Sequence, residues 1–190
     1  MRFAVLASGN GSNFEAIAQA VKTGDIDAEL ALLFSDRRDA YVLERGKKFS
    51  IPTETFELKE FPNKQAYEEA LLDLLKAYEI ELVVLAGYMR IVRDSLLQNF
   101  PKKIINIHPS LLPSFPGLNG IKDAYQAGVK ETGVTVHYID RGIDTGPIIA
   151  QEKVVVDSKD SLEALELKIH HTEHQLYPKV LAKVIKELKL

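Results

Sequence analysis

The sequence contains no cysteine, which excludes disulfides, thiolate nucleophiles and cysteine-ligated metal sites together. It also contains no apolar run that approaches the ~20 residues of a membrane span. Its start, the segment 1–7, is too short for a signal peptide and runs directly into a glycine turn. We therefore expect a cytoplasmic protein that does not associate with a membrane.

An excess of positive charge is missing as well, because the 190 residues carry a net charge of −3. A broad basic surface for nucleic acid is therefore not expected. An anionic ligand would have to be recognised locally, by backbone N–H groups and a few placed cations. The hydrophobic content of 46% and the charged content of 27% are ordinary for a globular protein. A chain of this length predicts one domain over residues 1–190.

Strand-like and helix-like segments alternate along the chain. Apolar runs predict strands at 3–7, 28–34, 52–56, 82–86, 104–108, 134–139 and 148–156. Apolar residues at helical spacing predict helices around 14–21 and at 40–48, 64–78, 94–100 and 161–188. Asp94 can cap the helix that ends at residue 100, and Pro178 should start or kink the last part of the final helix. The order predicts an α/β fold: a doubly wound, mostly parallel, Rossmann-like sheet with helices on both faces and an antiparallel addition near the C-terminal half. Ligands of such sheets bind at the carboxyl ends of the strands.

A glycine-rich turn, Ser-Gly-Asn-Gly-Ser-Asn at 8–13, lies between the first strand and the first helix. Free N–H groups at a helix start attract phosphate, which favours an anion site. Two other interpretations stay open: a tight turn in which Ser12 or Asn13 caps the helix, and a nucleotide fold in which Asp36 binds a ribose. The turn is neither a Walker A loop nor a full dinucleotide fingerprint, since Phe14 stands where the third glycine belongs.

Asn106 and His108 share one face of a predicted strand, because strand side chains alternate between faces. Pro109 ends the pairing, so both side chains stand at the carboxyl end of that strand. Two donors on one face, with the carboxylate of Asp144 to favour the imidazolium form of the histidine, suit a reaction that develops negative charge on oxygen. Taken singly, each residue also has a purely structural explanation, as a strand-end histidine or a turn former.

The chain resembles the folate-dependent formyltransferases over essentially its whole length. The resemblance rests on residues 8–13, 87–91, 106–113, 115–117 and 144–147. Asn-x-His-Pro-Ser-Leu-Leu-Pro with a downstream Asp-x-Gly is specific to the family, and Ser-Gly-x-Gly-Ser-Asn is specific to the branch that acts on glycinamide ribonucleotide. The resemblance implies an enzyme that transfers the formyl group of 10-formyltetrahydrofolate to the amine of glycinamide ribonucleotide in purine biosynthesis. It implies small-molecule substrates, no metal, and a monomer or weak homodimer.

The resemblance also implies the residues of the site. The catalytic residues would be His108, Asn106 and Asp144. Glycinamide ribonucleotide would be held by Gly11, Ser12, Asn13 and Glu173. The folate would contact Lys64, Met89, Arg90, Ile91, Val92, Asn106, Asp140 and Asp144, beside an apolar wall of Leu85, Ile91, Leu97 and Ile104. The N-terminal part of the domain would thus bind the phosphate, and the C-terminal part would bind the folate and carry the chemistry.

Several alternatives stay open beside this interpretation. His170 and His174 have a spacing that a metal site would use, but no third ligand accompanies them; the resemblance places His170 near the substrate phosphate. His137 is a candidate for a supporting or packed residue. Family members often carry histidines where this chain has residues 119–121, so no role of those side chains carries over. The rivals are a formyltetrahydrofolate hydrolase, the catalytic part of methionyl-tRNA formyltransferase, and a non-catalytic nucleotide-binding module.

Overall fold

The computed structural model describes all 190 residues, which form one sheet with helices on both faces. The strands are β1 (Arg2–Ala7), β2 (Glu29–Ser35), β3 (Thr53–Thr55), β4 (Leu82–Leu85), β5 (Ile104–His108), β6 (Glu131–Tyr138) and β7 (Ile148–Val155). The helices are α1 (Ser12–Thr23), α2 (Val42–Lys48), α3 (Lys64–Ala77), α4 (Asp94–Asn99), α5 (Gly120–Gln126) and α6 (Leu162–Leu188). No helix combines the length and the apolar character needed to cross a membrane.

The sheet has the strand order β3-β2-β1-β4-β5-β6-β7. The first five strands are parallel, whereas β6 runs antiparallel to β5 and β7 antiparallel to β6. The predicted doubly wound sheet with an antiparallel addition is therefore confirmed. The chain moves outward in one direction from β1 to β3 and in the other from β4 to β7. In sheets of this kind the crevice at such a reversal is where ligands bind.

The central strand β1 is buried on both faces, which is why its sequence is an unbroken apolar run. Phe3 and Val5 pack into the layer that contains α1 and α6. Ala4 and Leu6 point to the opposite layer, which contains α3 and α4. Tyr177 of α6 is fully buried under the sheet, and its hydroxyl donates a hydrogen bond of 2.7 Å to the carbonyl oxygen of Leu85. This contact anchors α6 directly beneath the end of β4.

Three local features differ from the predictions. Helix α5 was not predicted at all; it is short and buries only Gly120 and Ala124. Pro178 does not start a helix but lies inside the continuous α6, where the fully buried neighbours Tyr177 and Leu181 offset the lost backbone hydrogen bond; a kink at this position stays a prediction. Asp94 does not cap α4, because the cap position belongs to Arg93.

The start of α4 is held instead by a carboxylate from another helix. Glu68 of α3 is buried, and its two oxygens accept hydrogen bonds from the backbone N–H groups of Arg93 at 2.7 Å and Leu96 at 3.1 Å. Burial raises the pKa of this carboxyl group, while the backbone donors act in the opposite direction. The contact fixes α4, and with it the end of the loop that follows β4.

Candidate active site

A cleft of about 560 Å³ opens at the carboxyl ends of the strands. It is lined by the loops that follow β1, β4, β5 and β6, and by α6. Nearly all the predicted site residues line it: Gly11, Ser12, Asn13, Met89, Arg90, Ile91, Val92, Asn106, His108, Asp140, Asp144 and Glu173. Lys64 does not; it lines a separate cavity of about 190 Å³ that shares the segment 89–92 with the cleft.

One end of the cleft is the glycine turn before α1. Gly11 is the cap residue of this helix, in the left-handed region with φ 82°, so the prediction of a Ser12 or Asn13 cap is wrong. No side chain caps the helix, and the N–H groups of Gly11, Ser12 and Asn13 have no acceptor within the protein. The first intrahelical bond runs from the N–H of Glu15 to the carbonyl oxygen of Gly11 at 2.9 Å. The turn therefore presents unpaired donors at the positive end of a helix dipole, as an anion site requires.

An acidic residue faces this turn from α6. Glu173 is 5% exposed, and its Oε2 accepts a hydrogen bond of 3.2 Å from Nδ2 of Asn13. The same oxygen lies 3.1 Å from Nδ1 of His170, and this hydrogen bond raises the pKa of His170. The Oδ1 atom of Asn13 is buried without a hydrogen-bond partner. This end of the cleft thus combines backbone donors with one carboxylate, one titratable imidazole and one unused amide oxygen.

A buried polar network joins the loop after β1 to the loop after β4. The hydroxyl of Ser8 donates to Oδ1 of Asp36 at 2.6 Å and accepts from the N–H of Met89 at 2.8 Å. Oδ2 of Asp36 lies 2.8 Å from Nε of Arg90. Both carboxylate oxygens are therefore engaged and the residue does not line the cleft. These contacts remove the basis for a ribose-binding role of Asp36, which instead couples the two loops.

The centre of the cleft holds the imidazole of His108, which is 4% exposed. Its Nε2 lies 2.8 Å from the carbonyl oxygen of Phe115. Because a carbonyl oxygen only accepts, this contact assigns a proton to Nε2. Its Nδ1 lies 3.5 Å from Oδ2 of Asp144, which is longer than an ordinary hydrogen bond. The Nδ1 side of the ring therefore has an electrostatic partner but no closed hydrogen bond.

Asp144 is held in place by its own loop geometry. Its backbone has φ 55°, in the region that disfavours most side chains, and its Oδ2 accepts a hydrogen bond of 2.8 Å from the N–H of Gly117. This bond ties the loop after β6 to the loop after β5. Two further hydrogen bonds lie within the loop after β6, where Oδ1 of Asp140 accepts from the N–H of Gly142 at 2.9 Å and from the hydroxyl of Thr145 at 2.6 Å. The carboxylate is thus fixed before any ligand arrives.

His137 supports Asn106 from the neighbouring strand. The two residues face each other in the antiparallel pair β5–β6, with 3.4 Å between Nδ2 of Asn106 and Nε2 of His137. Nδ1 of His137 lies 2.8 Å from the carbonyl oxygen of Tyr138, so the neutral ring carries its proton on Nδ1 and accepts at Nε2. Burial lowers the pKa of His137, outweighing the opposing influence of Asp144. One N–H of the Asn106 amide is therefore engaged and the other remains available.

The rim of the cleft is unusually apolar for a protein surface. Four large apolar side chains around it, Met89, Ile91, Leu118 and Ile143, are each between 60% and 83% exposed. Exposed apolar groups gathered at one opening are typical of a site that receives a largely apolar ligand. Of the predicted apolar wall, Leu85 and Ile91 line the cleft. Leu97 lines a neighbouring groove and Ile104 belongs to the core, so the structure does not bring these two residues to the cleft and their place in a folate wall stays a prediction.

Comparison with known proteins places this site in a family. The family profile described as formyl transferase matches residues 1–181. The phosphoribosylglycinamide formyltransferase of Bacillus subtilis (strain 168) is 52% identical over 184 residues, which cover 97% of this chain and 94% of that protein. The enzyme of the same name from Escherichia coli (strain K12) is 38% identical over 182 residues, covering 96% and 86%.

A solved structure agrees with the sequence relatives. The crystal structure of phosphoribosylglycinamide formyltransferase from Bacillus halodurans has a TM-score of 0.96 and 50% identity, with 99% of this chain and 97% of that chain covered. The profile match, the identities and the shared fold extend over nearly all of the chain, including every loop of the cleft. The chain belongs to the formyl transferase family.

Proposed function

We propose that this protein transfers the formyl group of 10-formyltetrahydrofolate to the amine of glycinamide ribonucleotide, giving formylglycinamide ribonucleotide and tetrahydrofolate. The observation that carries the proposal is the presence, in one cleft, of the unpaired N–H groups of residues 11–13 and the trio Asn106, His108 and Asp144. An anion site and an oxyanion site side by side suit a phosphorylated nucleophile that attacks a carbonyl. The names of the sequence relatives support the same reaction.

The ribonucleotide binds at the glycine turn. Its phosphate accepts from the N–H groups of Gly11, Ser12 and Asn13, where the helix dipole also favours negative charge. Glu173 faces that site and offers a carboxylate to the hydroxyl or amine donors of the substrate. The amine is then directed along the cleft toward His108. We assign no metal to this binding mode.

The formyl donor binds at the opposite end. Its flat ring system lies against the apolar rim formed by Met89, Ile91, Leu118 and Ile143, while the backbone of 89–92 and the loop that contains Asp140 and Asp144 supply polar partners. Lys64 stands beyond that segment, in the smaller cavity, where its ammonium suits a carboxylate at the far end of the donor. When bound, the folate would supply the formyl carbon, and its own nitrogen would take up a proton as the leaving group.

The residues at the centre stabilise the charge that develops during transfer. The neutral amine of the ribonucleotide attacks the formyl carbon, which leaves negative charge on the formyl oxygen. The free N–H of Asn106 and the Nδ1–H of protonated His108 donate to that oxygen; the loss of one such donor typically raises a barrier by about 3–4 kcal/mol. Asp144 places a carboxylate oxygen 3.5 Å from Nδ1 of His108. The proton of the attacking nitrogen passes to the leaving nitrogen through His108 or a water held by Asp144. The bond between the formyl carbon and the folate nitrogen then breaks as the carbonyl reforms, which releases tetrahydrofolate.

An absorbance assay tests the reaction against its nearest rival. The protein is incubated with 10-formyltetrahydrofolate in the presence and in the absence of glycinamide ribonucleotide, and the folate absorbance is followed. The proposal predicts turnover only when the ribonucleotide is present. Equal turnover without it would instead indicate a hydrolase, and no turnover in either mixture would indicate a binding module.

A further inference from the structure

We propose that Arg45 is a positioning residue that aims the N–H groups of the glycine turn at the substrate phosphate. The proposal rests on the proposed function of that turn. Arg45 lies on α2, outside the cleft, so it does not reach the phosphate itself. It acts through Asn10, the residue before the cap of α1.

The guanidinium of Arg45 binds Asn10 through two hydrogen bonds. Nε of Arg45 donates to the backbone carbonyl oxygen of Asn10 at 2.8 Å, and Nη2 donates to its side-chain Oδ1 at 2.7 Å. This is the planar fork that arginine provides and lysine does not. Both acceptors belong to one residue, so the two bonds fix the orientation of its backbone as well as its position.

The orientation of that carbonyl determines where the next N–H points. The carbonyl of Asn10 and the N–H of Gly11 belong to the same planar, trans peptide unit and point in opposite directions. A guanidinium that holds the oxygen on the α2 side therefore turns the Gly11 N–H away from α2. Gly11 has no side chain that would constrain its backbone otherwise. The hydrogen bonds to Asn10 thus set the direction in which the N–H of Gly11 points.

A second residue of α2, Val42, also contacts the glycine turn. The N–H of Val42 donates to the carbonyl oxygen of Gly9 at 3.0 Å. Gly11 packs so closely on Val42 that a Cβ there would lie 2.3 Å from Cγ2 of that valine. Helix α2 therefore contacts three consecutive residues of the turn, and Arg45 supplies the contact that sets a peptide orientation.

The guanidinium of Arg45 already has a carboxylate partner and lies outside the cleft, which favours a geometric role over a direct electrostatic one. Arg45 forms an ion pair with Glu15, and Lys48 forms a second pair with the same carboxylate at 2.8 Å. Lys48 donates to Glu15 and forms no hydrogen bond with Asn10. Arg45 and Lys48 thus share Glu15 as their partner, but only Arg45 also bonds to the glycine turn. Lys48 is therefore a matched control.

Steady-state kinetics of Arg45→Lys and Lys48→Gln test the proposal. Arg45→Lys keeps the charge and loses the fork, so we expect KM for glycinamide ribonucleotide to rise about tenfold. The kcat at saturation and KM for the formyl donor should stay close to wild type. Lys48→Gln should match wild type in all three. An unchanged KM in Arg45→Lys, or an equal rise in Lys48→Gln, would overturn the proposal.

A substrate without the phosphate separates aiming from a general loss of structure. With glycinamide riboside, Arg45→Lys and wild type should have the same kcat/KM, because the donors that Arg45 orients have nothing to bind. An equal loss with riboside and ribonucleotide would contradict the proposal.

If Arg45→Lys does not fold, Asn10→Ala, which removes only the Oδ1 half of the fork, serves in the same comparison. An inactive wild type would refute the proposed function itself, whereas an active wild type with an insensitive Arg45→Lys would refute only this inference.

Discussion

Nδ2 of Asn106 lies 3.4 Å from Nε2 of His137, the residue that faces it across the β5–β6 pair. The carbonyl of Tyr138 holds the proton of His137 on Nδ1, so Nε2 accepts and the amide of Asn106 has one orientation. This arrangement leaves the second amide N–H for the cleft. A buried histidine therefore sets the direction of an amide donor that we propose to be catalytic.

The first prediction concerns the charge state of His137. Because burial lowers its pKa from the ordinary value of 6.5, the ring should remain neutral through the physiological range. A lowered pKa in the folded state contributes stability that is fully present above 6.5 and is lost as the pH falls through the lowered value. NMR titration of the histidine ring protons measures this directly. A His137 that titrates above 6.5 would contradict the neutral state that burial is expected to impose.

The second prediction concerns Asp144→Asn. The substitution preserves the size of the side chain, and its Oδ1 can still accept from the N–H of Gly117, so the fold should be retained. The ring of His108 loses the carboxylate charge beside its Nδ1, and we expect kcat to fall by about a hundredfold. Initial rates at saturating substrates, with the unfolding midpoint as a control, check this. Wild-type turnover in a folded variant would mean that Asp144 has a structural role alone.

The third prediction compares two glycines of the same helix. Gly11 and Gly24 cap the two ends of α1 with φ of 82° and 85°. A Cβ at Gly24 meets nothing within 4 Å, whereas one at Gly11 lies 2.3 Å from Val42. Gly24→Ala should therefore cost only the backbone strain, about 1–2 kcal/mol of unfolding free energy, with unchanged kinetics. Gly11→Ala should lower the unfolding free energy by more than Gly24→Ala and should also raise KM for the ribonucleotide. Denaturant unfolding and initial rates measure these two effects. Equal effects of the two substitutions would refute the close packing of Gly11 on Val42.

The fourth prediction concerns the pair formed by His170 and Glu173. The hydrogen bond from Nδ1 of His170 raises its pKa above 6.5, so Glu173→Gln should bring it back toward that value. The raised pKa contributes stability that is present below 6.5 and is lost as the pH rises through the raised value. Since His170 is half exposed, solvent screening keeps this contribution small. A pKa of His170 that is the same in Glu173→Gln, measured by NMR titration, would show that the carboxylate is not its partner.

Most of the sheet was predictable because buried parallel strands are continuous apolar runs. The pair of Asn106 and His108 followed from strand alternation alone. The cap of α1 was mispredicted because Ser and Asn side chains usually cap helices, whereas this helix leaves its first N–H groups free. Helix α5 was not predicted because its two buried residues, Gly120 and Ala124, are small and too few to form an apolar stripe.

Contacts between residues far apart in the sequence could not be predicted. The pairing of Asp36 with Arg90, and of Arg45 with Asn10, depends on which loops the sheet brings together. Local patterns carry no information about such partners. The assignment of residues 1–190 to a single domain and the catalytic roles of the individual side chains stay predictions.

The central claim is most directly tested by following the formyl carbon itself. The protein is given 10-formyltetrahydrofolate labelled with ¹³C in the formyl group, together with glycinamide ribonucleotide, and the products are identified by mass spectrometry. We predict that the label appears in formylglycinamide ribonucleotide in a one-to-one ratio with the tetrahydrofolate released. Label recovered as formate, with the ribonucleotide unchanged, would contradict the account.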